Sequence, residues 1–133
     1  MAQSEASFIF SDRDNDQLVE CSLGTNDDLS TASVSNTYTL GSNTLASSSD
    51  TGGFGLQFVD DGSRLAYITE SGPYYTVLKL ESVYSLSGSP STEISVPLAF
   101  GPAGRGCFLL QGSNEIFFTD SDSLFYDGVR YKA

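Results

Sequence analysis

One short phrase is written three times in this chain, and its spacing limits what the chain can fold into. Phe8-Ile9-Phe10-Ser11-Asp12 returns as Ala66-Tyr67-Ile68-Thr69-Glu70 and again as Ile116-Phe117-Phe118-Thr119-Asp120. Each copy is three apolar residues, a hydroxyl and a carboxylate, and the copies begin 58 and then 50 residues apart. Self-similarity at such a period marks a repeat architecture whose units are single supersecondary structures. A second phrase follows each copy: Val19-Glu20-Cys21-Ser22, Leu78-Lys79-Leu80-Glu81 and Val129-Arg130-Tyr131-Lys132. Apolar residues alternate with polar ones there, as in a strand with one buried and one solvated face, which puts Glu20 and Lys79 on the polar side. A third phrase, Thr37-Tyr38-Thr39-Leu40 and Glu93-Ile94-Ser95-Val96, alternates in the same way.

Turn signals separate these phrases. Asp60-Asp61-Gly62-Ser63 lies between apolar runs, and an Asp-Gly pair suits the positive φ of a hairpin turn. Gln111-Gly112-Ser113-Asn114 holds the matching place in the third copy. Arg13-Asp14-Asn15-Asp16, Ser71-Gly72-Pro73 and Ser121-Asp122-Ser123 read as solvated turns, and 41–53 as an exposed Ser/Thr/Gly-rich loop. No window carries helical apolar spacing. The second copy then supplies four strands, at 55–59, 64–69, 75–80 and 92–96. The first copy supplies three and the third copy three, ten in all. The expected fold is one all-β domain over 1–133, with antiparallel strands in about two and a half four-stranded repeats. Four short strands per unit is the pattern of a β-propeller blade, whereas so few units cannot close a ring, which needs about four or more. A β-sandwich is the alternative packing. Unit edges left open promote association, so self-association is expected.

Composition removes several functions. Net charge is −11, from 17 acidic and 6 basic residues, which repels nucleic-acid phosphates and anionic lipid. Residues 1–7 are polar and no apolar run exceeds the four residues of 107–110, so neither an export signal nor a membrane span is expected. The two cysteines are too few for a disulfide framework. Cys21 shares a strand face with Val19 and Leu23 and reads as a buried small hydrophobe, and nothing pairs it with Cys107. The chain has no His, which excludes Ser-His-Asp and Cys-His nucleophile systems and the usual zinc and iron ligand sets. Its only lysines, Lys79 and Lys132, fall on solvated strand faces. Gly101 to Gly106 lacks the Lys-Ser/Thr of a phosphate loop. Paired-carboxylate chemistry would need an acid in an apolar pocket, and the one candidate read for it, Glu115, alternates outward in its strand. The expectation is a protein that is not an enzyme and carries no cofactor.

Two constellations remain as site candidates. Asp12, Asp14 and Asp16 place oxygen ligands at alternate positions of a turn, as Ca²⁺ requires. Gln17 and Leu23 stand where an EF-hand has its turn Gly and bidentate Glu, so a polar turn is the simpler reading. Tyr74, Tyr75, Phe125 and Tyr126 sit at matching hairpins and could stack on sugar rings or on a partner, against a simpler reading as packing residues.

Asp16-Gln17-Leu18-Val19-Glu20-Cys21-Ser22-Leu23, then Asp28-Leu29-Ser30-Thr31-Ala32-Ser33, then Phe58-Val59-Asp60-Asp61-Gly62-Ser63-Arg64-Leu65-Ala66-Tyr67-Ile68, resemble the propeller-type repeats of bacteriophage tail and other virion proteins. The likeness covers roughly residues 8 to 70, and the chain is shorter than the many-repeat members of that group. The resemblance implies a structural or surface-binding role and no catalytic residues. The expected function is a structural virion protein, a capsid decoration or tail-associated component that assembles on a larger virion protein, made in the host cytoplasm and resident in the particle. The alternative is a lectin-like, carbohydrate-binding module that oligomerises.

Overall fold

The computed structural model describes residues 6–40, 53–69, 74–97, 104–109, 115–120 and 127–130; at 53–54 and from 104 onward the description is of the backbone. Ten strands form three antiparallel sheets in chain order. Sheet one is β1 (Ser7–Asp12), β2 (Gln17–Leu23) and β3 (Ala32–Thr39). Sheet two is β4 (Gly53–Val59), β5 (Arg64–Thr69), β6 (Tyr74–Lys79) and β7 (Ser91–Pro97). Sheet three is β8 (Gly104–Leu109), β9 (Glu115–Asp120) and β10 (Asp127–Arg130). Each sheet is a meander, with every strand hydrogen-bonded to its neighbour in sequence. The three-four-three division is the one the sequence phrases imply. The one helical turn among the described residues is a 3₁₀ turn at Leu29–Thr31, so none is long and apolar enough to cross a membrane.

Sheets one and two are built to the same plan with an offset of 57 residues. Leu23 donates its N–H to the carbonyl of Ala6, and Leu80 donates to that of Ser63. The register of β2 on β3 slips between Glu20 and Cys21, and that of β6 on β7 slips between Val77 and Leu78. This corrects the 58-residue spacing of the repeated phrase. Phe8 corresponds to Leu65 rather than to Ala66, and Phe10 to Tyr67 rather than to Ile68. A slip of one residue exchanges the two faces of a strand, so the correction decides which side chains are equivalent.

The sheets lie face against face. Leu18 and Leu40 of the first unit bury against Leu65, Tyr67, Leu78, Leu80 and Leu86 of the second, with Ile9, Tyr38, Leu56 and Phe58 packed around them. Behind sheet two, the β8 backbone runs beside β4 and β5. β5 and β6 are buried on both faces: Leu65, Tyr67 and Leu78 toward sheet one, and Ala66, Ile68, Tyr75 and Val77 on the opposite side. Sheet two is therefore an interior layer, whereas β3 and β7 keep the exposure of edge strands.

The link from β4 to β5 fixes how sheet two meets its own outer loop. Asp60, Asp61 and Gly62 all take positive φ (50°, 53° and 81°), and Gly62 and Ser63 donate N–H groups back to Val59 and Asp60. The turn signal read from Asp61-Gly62 is thus realised with one more left-handed residue than a two-residue turn needs. Gly62 has no side-chain space: a Cβ there would lie 2.5 Å from the Tyr84 ring. Tyr84 donates its N–H to Gly62 and packs edge-on against Phe58, 5.1 Å between ring centres.

Candidate functional site

The Asp12–Asp16 turn is held by its own side chains. One Asp12 carboxylate oxygen accepts from the N–H groups of Asp14 (3.2 Å) and Asn15 (3.3 Å), and the other accepts from Asn15 Nδ2 at 2.7 Å. Asp16, with φ 52°, accepts the Leu40 N–H at its carbonyl, which anchors the end of β3 beside the turn. This is an Asx-type turn, in which the carboxylate stands in for backbone acceptors. Among the described residues no three carboxylates, cysteines or histidines are grouped to hold a metal ion.

The aromatic candidates separate. Tyr75 is buried in β6, on the face of sheet two turned away from sheet one, so its ring is not offered to a sugar. Tyr74 begins β6, half-buried, with its N–H donated to Thr69 Oγ1 at 3.0 Å. Phe125 and Tyr126 lie outside the described residues.

Two features were not read from the sequence. The first is Glu20, placed by alternation on a solvated face but only 5 % exposed. Its Oε2 accepts from Asn36 Nδ2 (3.0 Å), Ser85 Oγ (3.0 Å) and the Leu86 N–H (2.7 Å). The position corresponds to Val77 of sheet two and faces the neighbouring sheet. A bulge makes the geometry possible. Ser35 is the extra residue, its hydroxyl donating to the Glu20 carbonyl, so Val34 and Asn36 fall on opposite faces though two apart. The carboxylate thereby bridges sheet one to the 81–88 loop of sheet two with charge-assisted hydrogen bonds.

The second feature is the other face of sheet one. Two adjacent rungs, Phe8–Cys21–Val34 and Phe10–Val19–Thr37, carry no charge. Val19 and Cys21 are buried at the base of the patch. Above them Phe8 is 36 %, Phe10 41 % and Val34 64 % exposed, and the two rings stack at 6.1 Å. By the 57-residue offset, Phe8, Phe10 and Cys21 take the places of Leu65, Tyr67 and Leu78, the side chains with which sheet two meets sheet one. The repeated phrase did contain these aromatics, but aligning them one residue out hid their equivalence to an inter-sheet face. Contiguous exposed apolar patches of this kind commonly mark interaction sites.

No family model matches this sequence, and no curated protein or solved structure is similar to it at a significant level.

Proposed function

We propose that this chain is a non-enzymatic structural protein of a bacteriophage particle, a capsid decoration or tail-associated component that works by sheet-on-sheet assembly. The observation that carries the assembly role is the uncharged Phe8–Phe10–Val34 face, left open on sheet one while its equivalent in sheet two is covered. The particle itself is suggested by the resemblance of residues 8 to 70 to virion repeats. A structural role is also consistent with the state of the acidic groups: Asp12 is engaged in its own turn and Glu20 in an inter-sheet bridge. The burial of Tyr75 removes one of the rings a lectin reading relied on.

The test is co-purification. Particles are banded on a density gradient from a culture carrying the gene, and each fraction is quantified by mass spectrometry. A fixed molar ratio of this chain to the major shell or tail protein across the band is expected. Recovery in the unbanded soluble fractions, with none in the particle band, rejects the reading.

A further inference from the structure

We propose that the β2–β3 loop, at the end of the open face of sheet one, docks a sheet of another protein that carries a lysine or arginine among its apolar side chains, and that Asp28 selects for that cation. The inference deepens the assembly role above and rests on it for the idea that the face has a protein partner.

The β2–β3 loop and the β6–β7 loop share a backbone at the 57-residue offset. Asp27 and Tyr84 both take positive φ, 64° and 58°. Asp28 donates its N–H to the Thr25 carbonyl at 3.2 Å, and Ser85 donates to that of Ser82 at 3.3 Å. Ser30 donates its N–H to Asp28 Oδ1 at 2.9 Å, and Ser87 donates to Ser85 Oγ at 3.0 Å. Leu29 therefore corresponds to Leu86, and Asp28 Oδ1 to Ser85 Oγ.

In sheet two this loop is half of the joint with sheet one. Leu86 is 2 % exposed and packs with Leu65, Tyr67 and Leu78 in the core between the sheets. Its N–H and the Ser85 hydroxyl both donate to Glu20, which sheet one presents. In sheet one the same loop has no such neighbour among the described residues, and Leu29 is 70 % exposed. It adds to the Phe8–Phe10–Val34 face as Leu86 adds to its equivalent.

One substitution within this shared loop reverses what can dock on it. Where Ser85 offers a hydroxyl donor, Asp28 offers a carboxylate oxygen. A side chain placed as Glu20 is, 3.0 Å from the Ser85 hydroxyl, would have to donate to Asp28. Another carboxylate is repelled there, because like charges juxtaposed across an interface exclude the wrong partner. Asp27 adds a second negative group where Tyr84 packs a ring on Phe58. The loop is thus acidic at two positions whose equivalents are neutral, on a chain of net charge −11. A cation on the covering sheet pairs with Asp28 and is drawn toward the chain from a distance. The described side chains of this chain do not supply it: Val77 holds the place of Glu20 in sheet two, and Arg64 is committed to Glu93 and Asp60.

The experiment places the photo-crosslinker benzoyl-phenylalanine at position 29 of the full chain, made in the culture used for co-purification. The lysate is irradiated, and adducts are purified under denaturing conditions and sequenced by mass spectrometry. Adducts should map to one other protein, at a segment that alternates apolar and polar residues and includes a lysine or arginine. Asp28→Ser keeps an acceptor for the Ser30 N–H, as Ser85 does for Ser87, and removes the charge. With an unchanged circular dichroism spectrum, it should lower the adduct yield about tenfold, and salt at about 1 M should lower it as well. Adducts to a second copy of this chain overturn the proposal. So do adducts to a segment without a cation, an Asp28→Ser yield equal to that of the parent chain, or no adduct at all. A cationic partner that is absent from particles removes the virion reading and leaves this one standing. A chain that bands with particles while its adducts ignore Asp28→Ser removes this one and leaves the virion reading.

Discussion

Sheets one and two share a strand plan, a hairpin order, a bulge site and a closing hydrogen bond, yet they differ in burial. In sheet two the central strands are buried on both sides; in sheet one only β2 is, and β1 and β3 stand at the surface. The difference comes from the number of neighbours and not from the strand pattern. Phe8 and Phe10 are at the surface where the equivalent Leu65 and Tyr67 are core, whereas Cys21 is buried like its equivalent Leu78. Burial of a repeat unit is thus a property of its place in the stack, as expected where each unit contacts only its neighbours.

That comparison is most directly broken by paired truncations. Leu65 and Leu78 are 1 % and 0 % exposed, so replacing either by Ala should cost about 2–5 kcal/mol in urea unfolding, from lost transfer free energy and the cavity left behind. Phe8→Ala, at the position equivalent to Leu65, removes a larger side chain. At concentrations where the chain is monomeric it should nonetheless cost less than about half as much, because the ring is already partly in water. Equal losses at the two positions would mean that the face of sheet one is covered in the monomer.

Glu20 tests the joint between the two sheets. Glu20→Ala strands the buried Leu86 N–H and removes the acceptor for Asn36 and Ser85, for an expected loss of about 3 kcal/mol. Glu20→Gln keeps a carbonyl oxygen at the same reach and should lose less than half of that. A fully stable Glu20→Ala chain would show that the apolar contacts alone hold the sheets together.

The strands and their grouping were legible because period-two alternation and turn residues are local signals. Tyr75, Glu20 and the offset were not, for related reasons. Alternation tells two faces apart but cannot say that both are covered, so Glu20 looked solvated although its position matches Val77. The phrase Phe8-Ile9-Phe10 fits Ala66-Tyr67-Ile68 about as well as it fits Leu65-Ala66-Tyr67, since all are apolar. Only hydrogen-bond partners and bulge positions fix the register. The Asp12 turn was legible as a turn because Asp and Asn close such loops with their own side chains. The open face required two facts that no local pattern contains: which unit is the interior one, and which residue matches which.

Two glycines carry the comparison into the loops. Gly62→Ala must hold a Cβ at φ 81° and drive it into the Tyr84 ring, so a loss of about 2 kcal/mol or more is expected in thermal or urea unfolding. Gly24, in the β2–β3 loop of sheet one, has ordinary φ, and a Cβ there would find Thr31 at 3.4 Å. Gly24→Ala should be neutral, or stabilising by about 0.5 kcal/mol through the unfolded chain. A tolerated Gly62→Ala would mean that the 81–88 loop can move off the turn.

The smallest effect separates two exposed carboxylates, one on each unit. In sheet two the Arg64 guanidinium grips Glu93 through Nε and Nη2 and reaches Asp60 through Nη1, which holds the Glu93 carboxyl below its ordinary 4.5. In the first unit Asp28 caps the 3₁₀ turn, accepting from Ser30 Oγ at 2.6 Å and Ser30 N at 2.9 Å, and lies below its ordinary 3.8 for that reason. Both folded values are depressed relative to the unfolded chain. Their contributions are therefore complete above the ordinary values and disappear as pH falls through the folded ones. Both groups are solvent-exposed, so stability should change little between pH 7 and 5 on their account and decline only in more acidic solution. Arg64→Ala distinguishes the causes. In a carbon-detected NMR titration the Glu93 carboxyl should move up toward 4.5 while Asp28 stays where it was. An Asp28 that moved with it would tie the two loops together electrostatically, and a Glu93 that did not move would remove the guanidinium as the cause of its depression.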